Sequence, residues 1–213
     1  DKTVCVESHF DGETWGLAVH PFDPYVVTSG DDNTLIYWDM NTKKVARRKE
    51  LVDGSKKAKR TKKRPPRGGA STTGRHPQNQ CSRAVSFDPM AEMLAVGMND
   101  GSFIVLEEKT LDQIVHKRGK HVEQWVQDLK FCPLDPVLAV STHDNWIDLW
   151  GYEGREFSHL HRLKGHNSFI THIDWTSDGE SLQSNCGAYE LLFWDPKTGK
   201  QVTSATSLKD AEW

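Results

Sequence analysis

An all-β chain built from repeats is predicted by three observations. In the stretch TSGDDNTLIYWD, from Thr28 to Asp39, an apolar strand, a Gly-Asp-Asp-Asn turn and a second apolar strand close on Trp-Asp. The spacing recurs: Asp32 and Trp38 lie 11 and 17 residues after Pro21, and the same steps lead from Pro89 to Asp100 and Leu106, from Pro133 to Asp144 and Trp150, and from Ser177 to Ala188 and Trp194. The last three anchors are 44 residues apart, whereas the first interval is 68, which places 24 inserted residues there. A period in the forties that closes on Trp-Asp marks a WD-repeat β-propeller. The expectation is about four consecutive four-stranded blades of a larger propeller.

Residues 1–8, DKTVCVES, read as the outer strand of a preceding blade, so the chain is expected to start within a propeller. Blade one covers 9–49, with WGLAVHP, YVVTSGDD, TLIYWD and a polar outer strand from Lys43. Residues 50–80 break the pattern with a Lys-, Arg-, Pro-, Gly- and Ser-rich run almost free of large apolar side chains. Such a run is expected to be a disordered insert between the outer strand of one blade and the inner strand of the next. Blade two covers 81–120, with Leu106 in place of Trp; blade three covers 121–164; blade four covers 165–206; and 207–213 begins a further blade. Bulky apolar pairs recur on the inner strands as Leu17/Val19, Val85/Phe87, Leu129/Phe131 and Ile173/Trp175. Period-two alternation bounded by Asp/Asn/Gly turns fits blades that pack face to face.

The composition, 36% apolar and 27% charged over 213 residues, is ordinary for a globular protein. No apolar run approaches the roughly 20 residues of a membrane span, and the Asp1 start carries no signal-peptide core and no methionine, as an excerpt would. Cys5, Cys81, Cys132 and Cys186 form no C-x-x-C pair, which favours reduced cytosolic thiols over disulfides or zinc. The net charge of -3 conceals an asymmetry: Lys43–Arg67 holds 13 basic residues against Glu50 and Asp53, leaving 14 basic and 28 acidic residues elsewhere.

His9, Ser29 and Asp32 resemble a serine-hydrolase set, but His121, Ser141 and Asp144 repeat it at matching offsets. A catalytic constellation occurs once on an asymmetric pocket. A set that recurs once per blade reads instead as the His–Ser/Thr–Asp–Trp tetrad that pins WD-repeat strands, because buried polar groups must be paired. On this reading His9, Ser29, Asp32 and Trp38 form one complete tetrad and His121, Ser141, Asp144 and Trp150 another. Blade four keeps His166 and Trp194 but has Asn185 and Ala188 at the other two positions, so a weaker network is expected there. His159, His161, His166 and His172 suggest a metal, but no Cys or carboxylate completes a recognisable ligand spacing with them, and no metal site is expected. Gly97 to Gly101 matches no phosphate-binding fingerprint, so neither an enzyme nor a cofactor is expected. Trp15, Trp125 and Trp146 fall near strand starts or turns, where they either fill core or contact a partner.

GETWGLAVHP (12–21), HDNWIDLWG (143–151), GHNSFITHIDW (165–175), GAYELLFWDPKTGKQV (187–202) and KDAEW (209–213) together resemble the second, C-terminal propeller of the echinoderm microtubule-associated protein-like family. The resemblance spans nearly the whole chain outside residues 50–80. It implies tandem propellers that bind tubulin or microtubules, preceded by a HELP motif that is not seen here. It also implies Asp where Ala188 stands, and it does not account for the basic insert.

Two readings follow. The first is a non-catalytic scaffold on tubulin, microtubules and other cytoskeletal proteins, cytoplasmic and extending to cilia or flagella. Its basic arm, Lys56, Lys57, Lys59, Arg60, Lys62, Lys63, Arg64 and Arg67, would meet acidic tubulin. The second is a nuclear or nucleic-acid scaffold using KKAKRTKKR as an import or phosphate-binding arm, although no aromatics are interleaved to stack bases. No membrane partner and no small-molecule substrate are expected.

Overall fold

The β-branched and aromatic runs between Asp, Asn and Gly turns form strands, as their alternation requires. The computed structural model describes residues 8–10, 12–51 and 81–213. Among these, β1 (Thr14–Val19), β2 (Tyr25–Gly30), β3 (Thr34–Asp39) and β4 (Lys44–Glu50) pair in chain order as an antiparallel sheet. The second sheet comprises β5 (Ser82–Phe87), β6 (Met93–Met98), β7 (Ser102–Glu107) and β8 (Gln113–Arg118). The third comprises β9 (Val126–Phe131), β10 (Val137–Thr142), β11 (Trp146–Glu153) and β12 (Glu156–Lys164). The fourth comprises β13 (Ile170–Trp175), β14 (Leu182–Cys186), β15 (Leu191–Asp195) and β16 (Lys200–Val202), followed by a short 3-10 turn, Ala205–Leu208.

The sheets stack face to face in chain order. Val27, Leu35 and Tyr37 of the first pack on Val85, Phe87, Leu94 and Val96 of the second. Ala84, Ala95, Phe103 and Val105 on the other side of the second meet Leu129, Phe131, Leu138 and Trp150 of the third. Ala139, Ile147 and Leu149 of the third meet Ile173, Trp175, Leu182 and Trp194 of the fourth. Each fully buried Leu, Ile or Phe stabilises the stack by about 1.5–3 kcal/mol. Leu106, where the repeat calls for Trp, is buried opposite Leu94 and fills the same interface with a smaller side chain.

The inner-strand pairs do not share one environment. Val85/Phe87, Leu129/Phe131 and Ile173/Trp175 are buried, but Leu17 and Val19 are 65% and 67% exposed. Every inner strand turns this face toward the sheet before it in the chain, and among the described residues nothing lies over it in the first sheet.

The innermost strands β1, β5, β9 and β13 contact one another in that order, and polar ties cross between them. The Ser82 hydroxyl joins the Gly30 N–H (3.1 Å) and carbonyl (3.0 Å). The Asp128 carboxylate accepts the Ile173 N–H at 3.1 Å and pairs with His172 Nδ1 at 2.7 Å. Lys130 Nζ reaches Asp174 at 2.8 Å, and the Trp175 indole donates to the Lys130 carbonyl at 3.1 Å.

Asp128 raises the His172 pKa above the ordinary histidine value, first through the hydrogen bond and then through its charge; Lys130 and partial burial oppose it, and Asp174 reinforces it. A raised histidine contributes stability that is fully present below the unfolded-state pKa and is lost as pH rises through the folded-state value. His172→Gln is therefore expected to lower the melting temperature more at about pH 5.5 than at about pH 8. His143, whose pKa burial and Arg83 lower, has the opposite sign but is common to both proteins and cancels in the comparison. Parallel thermal melts at the two pH values check this.

Candidate functional site

Each inner strand carries one extra residue at the same point of the repeat. The register with the next strand shifts between Thr14 and Gly16, between Ser82 and Ala84, across Val126 and Asp128, and between Ile170 and His172. The bulged residues are thus Trp15, Arg83, Gln127 and Thr171. A bulge breaks the alternation and re-aims its side chain, here toward the rim that carries the β2–β3, β6–β7, β10–β11 and β14–β15 turns.

A ribbon of stacked rings and cations results. The Arg83 guanidinium lies 4.1 Å from the Trp15 ring centroid and 5.5 Å from that of Trp125. The Trp125 ring is 4.1 Å from His143, which stacks on Phe169 at 4.4 Å and 16°. Asp31 accepts the Trp15 indole N–H at 3.0 Å and lies 3.8 Å from Arg83. Gln127 Oε1 takes the Trp125 indole at 3.2 Å and His143 Nε2 at 2.9 Å. Phe10, Trp15, Phe169 and Tyr189 remain exposed along this rim. Rigid aromatics beside arginine are the side chains that dominate protein interfaces, and each exposed cation–π contact contributes about 0.5–1 kcal/mol. Alternation alone would not place Arg83 between two tryptophans; the recurring bulge does.

The tetrads differ from their sequence reading. In the first sheet His9 Nδ1 meets Asp32 at 2.8 Å, but His9 Nε2 meets Thr28 Oγ1 at 2.9 Å, and the Trp38 indole donates to the same oxygen at 2.9 Å. The hydroxyl is therefore that of Thr28, not Ser29. One step along a strand reverses the face, and the buried Ser29 hydroxyl makes no hydrogen bond. The Thr28 oxygen also accepts the Trp38 indole N–H, so the hydroxyl against the imidazole is a link in a chain that ties the strands together.

The third sheet has no such chain. The position equivalent to Thr28 is Val140, and Ser141 instead holds the Asp128 N–H (3.1 Å) and carbonyl (2.9 Å). His121 is exposed with φ 60 and reaches none of Ser141, Asp144 or Trp150. Asp144 caps the Glu123 and Gln124 N–H groups at 3.0 Å each, and Trp150 packs on Phe103 at 5.2 Å.

The fourth sheet has the chain that its sequence seemed to lack. Ser184, at the Thr28 position, meets His166 Nε2 and the Trp194 indole at 2.7 Å each. Glu190, two residues beyond Ala188, supplies the carboxylate, 3.4 Å from His166 Nδ1. The Asn167 backbone and side-chain N–H groups hold Glu190, and with the Cys186 thiol they bring its pKa down to about 2.

The other histidines disperse: His159 pairs with Asp148 (2.9 Å), His161 with the Lys197 carbonyl (3.2 Å) and His172 with Asp128. Among the described residues, only His166 joins a thiol and a carboxylate, Cys186 and Glu190, a grouping hidden by the 20-residue separation of His166 and Cys186. Trp146 is half-buried, with the Arg162 guanidinium 4.4 Å from its ring centroid. The basic arm, Lys56 to Arg67, lies outside the described residues.

Residues 14–213 match the model of the second β-propeller of the echinoderm microtubule-associated proteins. The chain belongs to that family. It is 34% identical over 216 residues to the 77 kDa echinoderm microtubule-associated protein of Lytechinus variegatus, covering 100% of this chain and 28% of that one. It is 36% identical over 215 residues to the ciliary WD repeat-containing protein ctxp80 of Euplotoides octocarinatus, again with 100% and 28% coverage. Against the human echinoderm microtubule-associated protein-like 2 the figures are 31% over 214 residues, 99% and 28%. The chain thus spans little more than a quarter of these relatives.

Thr28→Val strands a half-buried indole and an imidazole nitrogen, at about 1–3 kcal/mol of stability. Ser29→Ala removes a hydroxyl with no partner and should be neutral or slightly stabilising. Denaturant titrations of the two variants check the assignment directly.

Proposed function

We propose that the chain is a non-catalytic WD-repeat scaffold that binds tubulin or microtubules. Its four sheets serve as consecutive blades, over 9–49, 81–120, 121–164 and 165–206, of a larger propeller in a tandem array. Residues 1–8 belong to the blade before and 207–213 to the blade after; since Glu50 ends β4 and Leu51 packs in the first core, the insert expected over 50–80 begins after Leu51. The observation that carries this reading is the family match over residues 14–213. The names of the relatives supply the microtubule, and the ciliary name of one supplies a place in cilia or flagella beside the general cytoskeleton. The rim ribbon supports a protein partner, because Trp15, Arg83, Trp125 and Phe169 form a pre-organised aromatic strip.

The basic arm tunes this binding. Lys56, Lys57, Lys59, Arg60, Lys62, Lys63, Arg64 and Arg67 carry eight positive charges on a chain that is otherwise acidic and would be repelled by acidic tubulin. Exposed charges are screened over about 8 Å at physiological salt, so the arm's part is salt-sensitive and the blades' part is not. The same arm carries the second reading, a nuclear or nucleic-acid scaffold, on the observation of the run KKAKRTKKR.

Co-sedimentation with microtubules over a salt series, beside duplex DNA binding at matched salt, separates the two. Deleting residues 56–67 should weaken microtubule binding at low salt, flatten its salt dependence and leave the melting temperature unchanged. Equal microtubule binding by the deletion, together with loss of DNA binding, would favour the nuclear reading.

A further inference from the structure

The β14–β15 turn adds a group that the hydrogen-bonded chain of the fourth sheet does not use, the Cys186 thiol, to the His166 and Glu190 of that chain. The Cys186 N–H donates to the Glu190 carbonyl at 3.2 Å, the Tyr189 N–H donates to the Cys186 carbonyl at 3.0 Å, and Tyr189 takes a left-handed φ of 63. This tight turn puts the Cys186 thiol and the Glu190 carboxylate on one side, facing the His166 ring from the loop before β13. A His166 ring nitrogen, Cys186 Sγ and a Glu190 oxygen all lie within 4.8 Å of one another. His166 and Cys186 are buried; Cys186 and Glu190 also line an open depression shared with Thr171, Tyr189 and Leu191.

The spacing differs from that of an ordinary imidazole–carboxylate pair. His9 and Asp32 meet at 2.8 Å, within the usual 2.7–2.9 Å of a charge-assisted bond, whereas His166 Nδ1 and Glu190 Oε2 stand 3.4 Å apart. Cys186 Sγ is 3.2 Å from the same oxygen. With bonds of about 2.0 Å to nitrogen and oxygen and about 2.3 Å to sulfur, a zinc tetrahedron has edges of about 3.3 Å (N···O) and about 3.5 Å (S···O). The two edges that meet at the Glu190 oxygen already stand close to that geometry.

The surroundings are those of a ligand set. Ser184 Oγ, 2.7 Å from His166 Nε2, fixes the ring so that Nδ1 faces the Glu190 carboxylate at 3.4 Å, where it gives up its proton when a metal binds. Asn167 fixes Glu190 through its backbone N–H at 2.9 Å and its side-chain amide at 2.5 Å. Cys186 and Glu190 both line the depression, which gives an ion a path to them from solvent.

We propose that His166, Cys186 and Glu190 bind a borderline divalent transition metal, zinc being the best match to one thiolate, one imidazole and one carboxylate. On binding, the thiol proton leaves to solvent and the metal takes its place between sulfur, nitrogen and oxygen. The ion ties the β14–β15 turn to the loop before β13. The site is independent of the scaffold reading, since it needs no partner protein.

Cobalt(II), which takes zinc sites and reports thiolate ligation by a near-ultraviolet charge-transfer band, is the probe. Titrating the full chain under reducing conditions should give that band, saturating at one equivalent and abolished by zinc. Cys186→Ser should lose it and Cys81→Ser should keep it. Because a misfolded Cys186→Ser chain would lose the band too, Glu190→Gln is measured alongside with circular dichroism. It should retain the β spectrum while weakening cobalt binding by at least about tenfold, the loss that even a supporting residue brings. Absence of the band in the parent chain, its survival in Cys186→Ser, or unchanged affinity in a folded Glu190→Gln chain would each overturn the proposal.

Discussion

The chain of hydrogen bonds from an indole through a hydroxyl and an imidazole to a turn carboxylate is the constraint on which the stacked sheets depend. It runs through Trp38, Thr28, His9 and Asp32 in the first sheet and through Trp194, Ser184, His166 and Glu190 in the fourth. Each element is half-buried or buried, where an unpaired polar group is costly, so the chain must be complete or absent. The second and third sheets take the other solution. Val96 and Val140 stand at the hydroxyl position, and Leu106 and Trp150 pack as apolar side chains against their neighbours.

The inner-strand bulge is the second device, and it serves the surface rather than the core. Each bulge sits one residue into the pairing with the next strand, so the strand below it keeps its apolar face toward the preceding sheet while the bulged side chain turns to the rim. By this means Arg83 bridges Trp15 and Trp125, and Gln127 holds Trp125 and His143, although Trp15, Arg83 and Gln127 belong to three different sheets. The ribbon therefore depends on the stacking of the sheets, and damage to the core would be felt at the rim.

Much of the fold was legible because the repeat fixes strand positions to within a residue: the turn aspartates Asp32, Asp100 and Asp144 each lie between the second and third strands of their sheet. What was not legible turned on single-residue phase. Ser29 and Ser141 share a repeat position, and spacing alone made them the hydroxyls, yet they lie one step from the face that holds the indole. Glu190 was missed because its carboxylate comes from two residues beyond the ruler's aspartate position, which Ala188 occupies; the turn itself is regular, with Tyr189 left-handed like Asn33, Gly101 and Asn145 at the same repeat position. Leu17 and Val19 matched buried positions in the other sheets but are exposed, since burial depends on a neighbouring sheet and not on the strand's own pattern.

A pair of double-mutant cycles tests the central claim most directly. His9→Gln combined with Thr28→Val should show a coupling free energy of about 0.5–3 kcal/mol, the range for groups in one hydrogen-bonded network. His121→Gln combined with Ser141→Ala should be additive, because the two residues do not meet. Coupling between His121 and Ser141, or additivity between His9 and Thr28, would contradict the account.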